Sequence, residues 1–106
     1  MPANDVGRGN ILYDAIVTLA LTPVAVAANT SAEQSFALKG IQVGDHVDVN
    51  CLSAQTNGIG IVNCRVSAPD TLTVQFSNST AGSLSPATAS YLVNVNRAVT
   101  PASNFL

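Results

Sequence analysis

Apolar and polar side chains alternate along most of this chain with a period of two, and no stretch carries a clean helical spacing with a cap and a stop. From Tyr13 to Leu21 the alternation sets Val17, Leu19 and Leu21 on one side. Leu12, Ile16 and Leu19 would also suit a short helix, and the β-branched content decides for a strand. Pro23 cannot donate to a ladder, so the next strand is expected over Glu33 to Leu38, with Phe36 and Leu38 inward. Beyond Gly40 and Gly44-Asp45 comes Val47 to Cys51. Asn57-Gly58 is the preferred dipeptide of a two-residue type I′ hairpin turn, which would set Cys51 opposite Cys64 and Val49 opposite Val66. Ile59 and Ile61 fall on the other parity and predict a bulge near Gly60. S-A-P-D-T reads as a turn into Leu72, Val74 and Phe76, and the last strand runs through Tyr91, Val93 and Val95.

Six or seven short strands joined by Gly, Pro, Asn and Ser turns predict an all-β fold, a small antiparallel β-sandwich or jelly-roll-like domain over residues 13–97. Residues 1–12 form an N-terminal arm and residues 98–106 a C-terminal apolar arm. Phe105 and Leu106 belong to no strand pattern, and large apolar side chains left exposed are a liability. Together with Tyr13 they are the candidate contacts to copies of the chain or to a partner.

Composition sharpens this picture. Charged residues make up 9% of the 106 residues, against about a quarter in a usual soluble domain. Ser, Thr and Asn stand in their place, a surface suited to a subunit packed among others rather than to a free monomer that relies on net charge. Four basic residues, Arg8, Lys39, Arg65 and Arg97, make no basic stripe, and there is no Trp, which argues against nucleic-acid binding. V-A-V-A-A-N imitates a signal-peptide cleavage site, but Asp14 and Pro23 interrupt the apolar run. The same two residues exclude a bilayer-spanning helix, so no membrane association and synthesis in a reducing cytosol are expected.

Candidate chemistry is sparse. In a strand, His46, Asp48 and Asn50 share one face while Val47, Val49 and Cys51 share the other, so His46 and Cys51 cannot form a nucleophilic pair within it. One His and few carboxylates leave too few ligands for a metal site, and no catalytic residue or cofactor is assigned. Cys51 and Cys64 could be bridged, closing a loop of roughly 14 residues for about 3 kcal/mol, but in a reducing compartment free thiols are favoured. The triplets Asn29-Thr30-Ser31 and Asn78-Ser79-Thr80 match a glycosylation acceptor by chance in so hydroxyl-rich a chain. Gly58-Ile59-Gly60 lacks the rest of a dinucleotide loop.

One long pattern runs through these elements: A-A-N-T-S-A-E-Q-S-F-A-L-K-G-I-Q-V-G-D-H-V-D-V-N from Ala27 to Asn50, then G-I-G-I-V-N-C-R-V-S-A-P-D-T-L-T-V-Q-F-S-N-S-T-A from Gly58 to Ala81, then S-P-A-T-A-S-Y-L-V-N-V from Ser85 to Val95. Over residues 22–97 it resembles small β-rich structural proteins of tailed bacteriophages, the group of head decoration, cement and fibre-type proteins. The marks are N-T-S-A-E before a strand, the V-G-D turn, the R-V-S-A-x-D-T hairpin and F-x-N-x-T after it. Cys51, Cys64 and the apolar arms depart from the pattern. The resemblance implies a non-enzymatic virion component on the capsid exterior, a dimer or trimer that binds across subunits of the major capsid protein. The alternative it leaves is a head or tail fibre domain that binds a host surface glycan, for which few aromatic rings are spare.

Overall fold

The computed structural model describes residues 11–98, and Phe105, Leu106 and the rest of both predicted arms lie outside them, save Ile11, Leu12 and Ala98. Six strands form: β1 (Ile11–Leu21), β2 (Thr30–Ala37), β3 (His46–Cys51), β4 (Ile59–Ala68), β5 (Thr71–Asn78) and β6 (Ala89–Ala98). They make two three-stranded antiparallel sheets, β1-β6-β3 and β2-β5-β4, and the described residues contain no helix. The fold is therefore all-β, as the period-two alternation predicts. β1 takes in Ile11 and Leu12 and β6 runs to Ala98, so the sheets extend slightly past both ends of the 13–97 span.

Burial follows strand position. The central strands β5 and β6 supply Leu72, Val74, Phe76, Tyr91, Val93 and Val95, none more than 1% exposed. Burying each such side chain contributes about 1.5–3 kcal/mol before the entropy of ordering is counted. Val17 and Leu19 of β1, Val47 and Val49 of β3, and Phe36 of β2 pack on this core from the edges. The inward parities of β1, β3, β5 and β6 are those the sequence pattern assigns.

The route between strands differs from expectation at one place. β3 pairs with β6 and β4 with β5, so β3 and β4 lie in different sheets and are not a hairpin. Cys51 stands beside Tyr91 and Cys64 beside Val74 in their ladders, rather than opposite each other. Asn57-Gly58 does form a turn, closed by Ile59 N–H donating to Thr56 O. Gly58 has φ +91° while Asn57 does not have a positive φ, so this is not a type I′ turn, which needs positive φ at both. Its Gly58 carbonyl accepts from Ser79, which docks it on the β5–β6 connection instead of joining two ladder strands. The β4–β5 link is a tight hairpin: Val66 pairs Leu72 around Pro69-Asp70, with Asp70 at φ +60°. A bulge does reconcile Ile59 and Ile61 with Cys64 and Val66, but its extra residue is Val62, and a second bulge falls at Ser67.

Candidate functional surfaces

Two sheets packed face to face leave two outer faces, and here they are chemically unlike. On the β2-β5-β4 side the outward residues are nearly all polar. Ser35, Thr73 and Ser67 hydroxyls link across three strands at 3.0 and 2.7 Å. Arg65 Nε and Nη2 donate to Glu33 at 2.7 and 2.8 Å, and Gln75 Nε2 donates to Ser31 at 3.2 Å. The hydrogen bonds from Arg65 hold the Glu33 carboxyl below its ordinary range. This face satisfies itself and needs only water outside it.

On the β1-β6-β3 side, polar and apolar residues mix. Asn96 at the sheet centre donates from Nδ2 to Asp14 on β1 at 2.7 Å, and its oxygen faces His46 Nδ1 on β3 in a long 3.4 Å contact. Ile16, two residues on from Asp14, is 65% exposed although its neighbour Val17 packs on the core. With Ile11 at 52%, Leu12 at 64% and Tyr13 at 42%, β1 carries four exposed large apolar side chains. The signal was present in the run Ala15-Ile16-Val17, apolar at consecutive positions, which puts apolar groups on both faces of a strand.

The end of the sandwich near Tyr13 is closed by Arg97. Its Nε and Nη2 donate to Asp45 at 2.8 Å each, Nη2 also donates to Gly40 O at 3.0 Å, and the guanidinium lies 5.1 Å from the Tyr13 ring centroid. Asp45 is 3% exposed at its side chain and accepts a further bond from the Gln42 N–H at 2.9 Å. The Arg97 bonds therefore hold its carboxyl below the ordinary range, against the opposing effect of burial. A depressed folded-state pKa gives stability that is present above the unfolded value of about 3.9 and is lost as pH falls through the folded value. Asp45→Asn is thus expected to lower the thermal midpoint at neutral pH, with the gap to the native protein narrowing on acidification below about pH 4. A gap that stayed constant over that range in pH-dependent calorimetry would mean that the ion pair adds nothing.

Cys51 and Cys64 are free thiols. Burial pushes the Cys64 thiol up, only partly countered by the Val49 N–H, and nearby Asp48 adds to the rise. Cys64 lines an open groove of about 450 Å³ between β3 and β4 together with the apolar Val47, Val49 and Ile61 and the polar His46, Asp48 and Arg65. His46 projects from the outer face and so does not meet either thiol across β3. Among the described residues no three His, Cys, Asp or Glu side chains gather as a metal-binding group. Of the named contact candidates, Tyr13 stands on β1 beneath Arg97, while Phe105 and Leu106 fall outside the described residues. Comparison with protein-family models, with curated proteins and with solved structures finds no match.

Proposed function

We propose that this chain is a non-enzymatic structural subunit of a virion, of the capsid decoration or cement type, made in the host cytoplasm and carried on the capsid exterior against the major capsid protein. The observation that carries the reading is the concentration of Ile11, Leu12, Tyr13 and Ile16, each 42–65% exposed, on one strand of a protein with so few charges. Apolar groups gathered this way mark a surface that a neighbour covers. The phage-like sequence pattern of residues 22–97 supplies the class of assembly. Each copy would add contacts that exist only in the assembled head, and whatever binds only the assembled state stabilises it by linkage. Glycan recognition has less to build on: among the described residues Tyr13 is the one exposed ring, and Arg97 sits over it.

Quantitative mass spectrometry of purified particles is expected to give a simple ratio of this protein to the major capsid protein, one to one or a fraction such as a third. A handful of copies per particle would assign it to tail or fibre, and absence would end the virion reading.

A further inference from the structure

A three-stranded sheet has two edges, and among the described residues the two sheets therefore present four: β1, β2, β3 and β4. Unpaired edges template association unless something blunts them. Three of the four are blunted. β2 carries Glu33, and its Gln34 side chain grips the backbone of Val24, accepting from N–H and donating to C=O at 2.8 Å each, so the β1–β2 connection lies against it. β3 is only six residues long and bears His46 and Asp48. β4 is broken by bulges at Val62 and Ser67 and carries Arg65. β1 is different: eleven residues long, with a register shift only at Leu12 and regular pairing to β6 from Tyr13 to Leu21. It has no Pro and no Lys, and its one charge, Asp14, is already engaged by Asn96.

We propose that β1 pairs antiparallel with β1 of a second copy about a two-fold axis at Ile16, joining two β1-β6-β3 sheets into one six-stranded sheet. A two-fold contact requires a self-complementary strand, and β1 meets that requirement. Centred on Ile16, residue pairs sum to 32: Ile16 meets Ile16 of the second copy, Tyr13 meets Leu19, Ala15 meets Val17, Leu12 meets Ala20 and Asp14 meets Thr18. Because the sum is even, inward residues pair with inward and outward with outward, so each core continues into the next. The most exposed apolar side chain of the strand, Ile16, gains the closest partner, with Cβ atoms about 5 Å apart in such a pair. The two Asp14 carboxylates end up four residues apart along the strand, roughly 13 Å, beyond a Debye length of about 8 Å. The chain's net charge of −2 adds little repulsion between copies.

This pairing rests on the exposed β1 strand, as the proposed function does, but not on a virion, so each can fail without the other. The test is sedimentation velocity on the full chain at micromolar concentration. The native protein is expected to sediment at twice the chain mass. Ile16→Lys, which sets two like charges side by side, is expected to sediment at the chain mass with an unchanged far-UV circular dichroism spectrum. Since Ile16 faces its own copy, an equimolar mixture of Ile16→Lys and Ile16→Glu is expected to recover the dimer, while each alone stays monomeric. A monomeric native protein overturns the pairing, including the case where residues 1–10 or 99–106 of the same chain cover the edge. So does a dimer that Ile16→Lys leaves intact, and a mixture that fails to associate overturns the register.

Discussion

Asn78→Ala is expected to lower the free energy of unfolding by about 3 kcal/mol, from about 0.5 kcal/mol for each of its four hydrogen bonds, three of them only part-buried, and about 1 kcal/mol for the small void that follows. Asn78 is the last residue of β5, 2% exposed, and its side chain holds three segments together. Nδ2 donates to Val26 O at 3.0 Å and to Gly82 O at 2.8 Å. Oδ1 accepts from Thr80 N–H at 2.9 Å and from the Thr80 hydroxyl at 2.7 Å. All four hydrogen-bonding positions of the amide are thus filled. Alanine leaves the Thr80 N–H without its acceptor and loosens the β1–β2 connection from the β5–β6 connection. Urea denaturation would measure the loss, and a value below about 1 kcal/mol would mean that water replaces the amide at little cost.

The isosteric change Asn78→Asp separates shape from hydrogen bonding. The introduced carboxylate still accepts from Thr80, but its second oxygen then confronts the carbonyls of Val26 and Gly82 where a donor is needed. Burial and facing acceptors raise the pKa of such a group, so its destabilisation is smallest in acid and grows as pH rises past the unfolded value of about 3.9. The same geometry bears on the second glycosylation triplet: an asparagine buried with its amide fully bonded is not available as an acceptor, whereas Asn29 of the first triplet is exposed in a turn at φ +54°.

Much of this was legible in the chain because strand faces follow from parity alone. Val47 and Val49 inward with His46 and Asp48 outward, or Leu72, Val74 and Phe76 inward, require only the pleat. The β3–β4 hairpin that the sequence predicts does not form, because Asn57-Gly58 favours a turn without stating what the turn connects. A loop tied at Gln55 to the Tyr91 hydroxyl, at 3.0 Å, and to the Ala87 N–H, at 2.6 Å, carries the chain from one sheet to the other. The bulge had a signal in the clashing parities of Ile59 and Cys64, yet nothing local distinguished Gly60 from Val62 as its site. The Arg97–Asp45 closure joins residues 52 apart and left no trace in the pattern. The run Ala15-Ile16-Val17 shows that β1 carries apolar groups on both faces, but how far Ile16 stays exposed depends on what packs on the outer face, which the run does not report.

Gly58→Ala is expected to cost about 3 kcal/mol, from two effects that a second substitution can divide. At φ +91° an alanine is strained by roughly 1–2 kcal/mol wherever it stands. An added Cβ would also overlap Thr80 Cγ2, and that methyl cannot swing aside, because the Thr80 hydroxyl oxygen sits 2.7 Å from Asn78 Oδ1 and 2.9 Å from Gly82 O with its single proton shared between these two acceptors. Thr80→Ser deletes the methyl and keeps the hydroxyl, so Gly58→Ala combined with Thr80→Ser should recover the overlap and leave the backbone strain. Gly44→Ala supplies the reference for strain alone, since Gly44 sits at φ +98° with open space where its Cβ would go. If Gly58→Ala cost no more than Gly44→Ala by urea denaturation, contact with Thr80 could not be what holds the Thr56–Ile59 turn in place. A larger cost that Thr80→Ser relieves would show that the turn is set by its fit to the Asn78 hub, which is why an Asn-Gly dipeptide here leads across the sandwich rather than back along a hairpin.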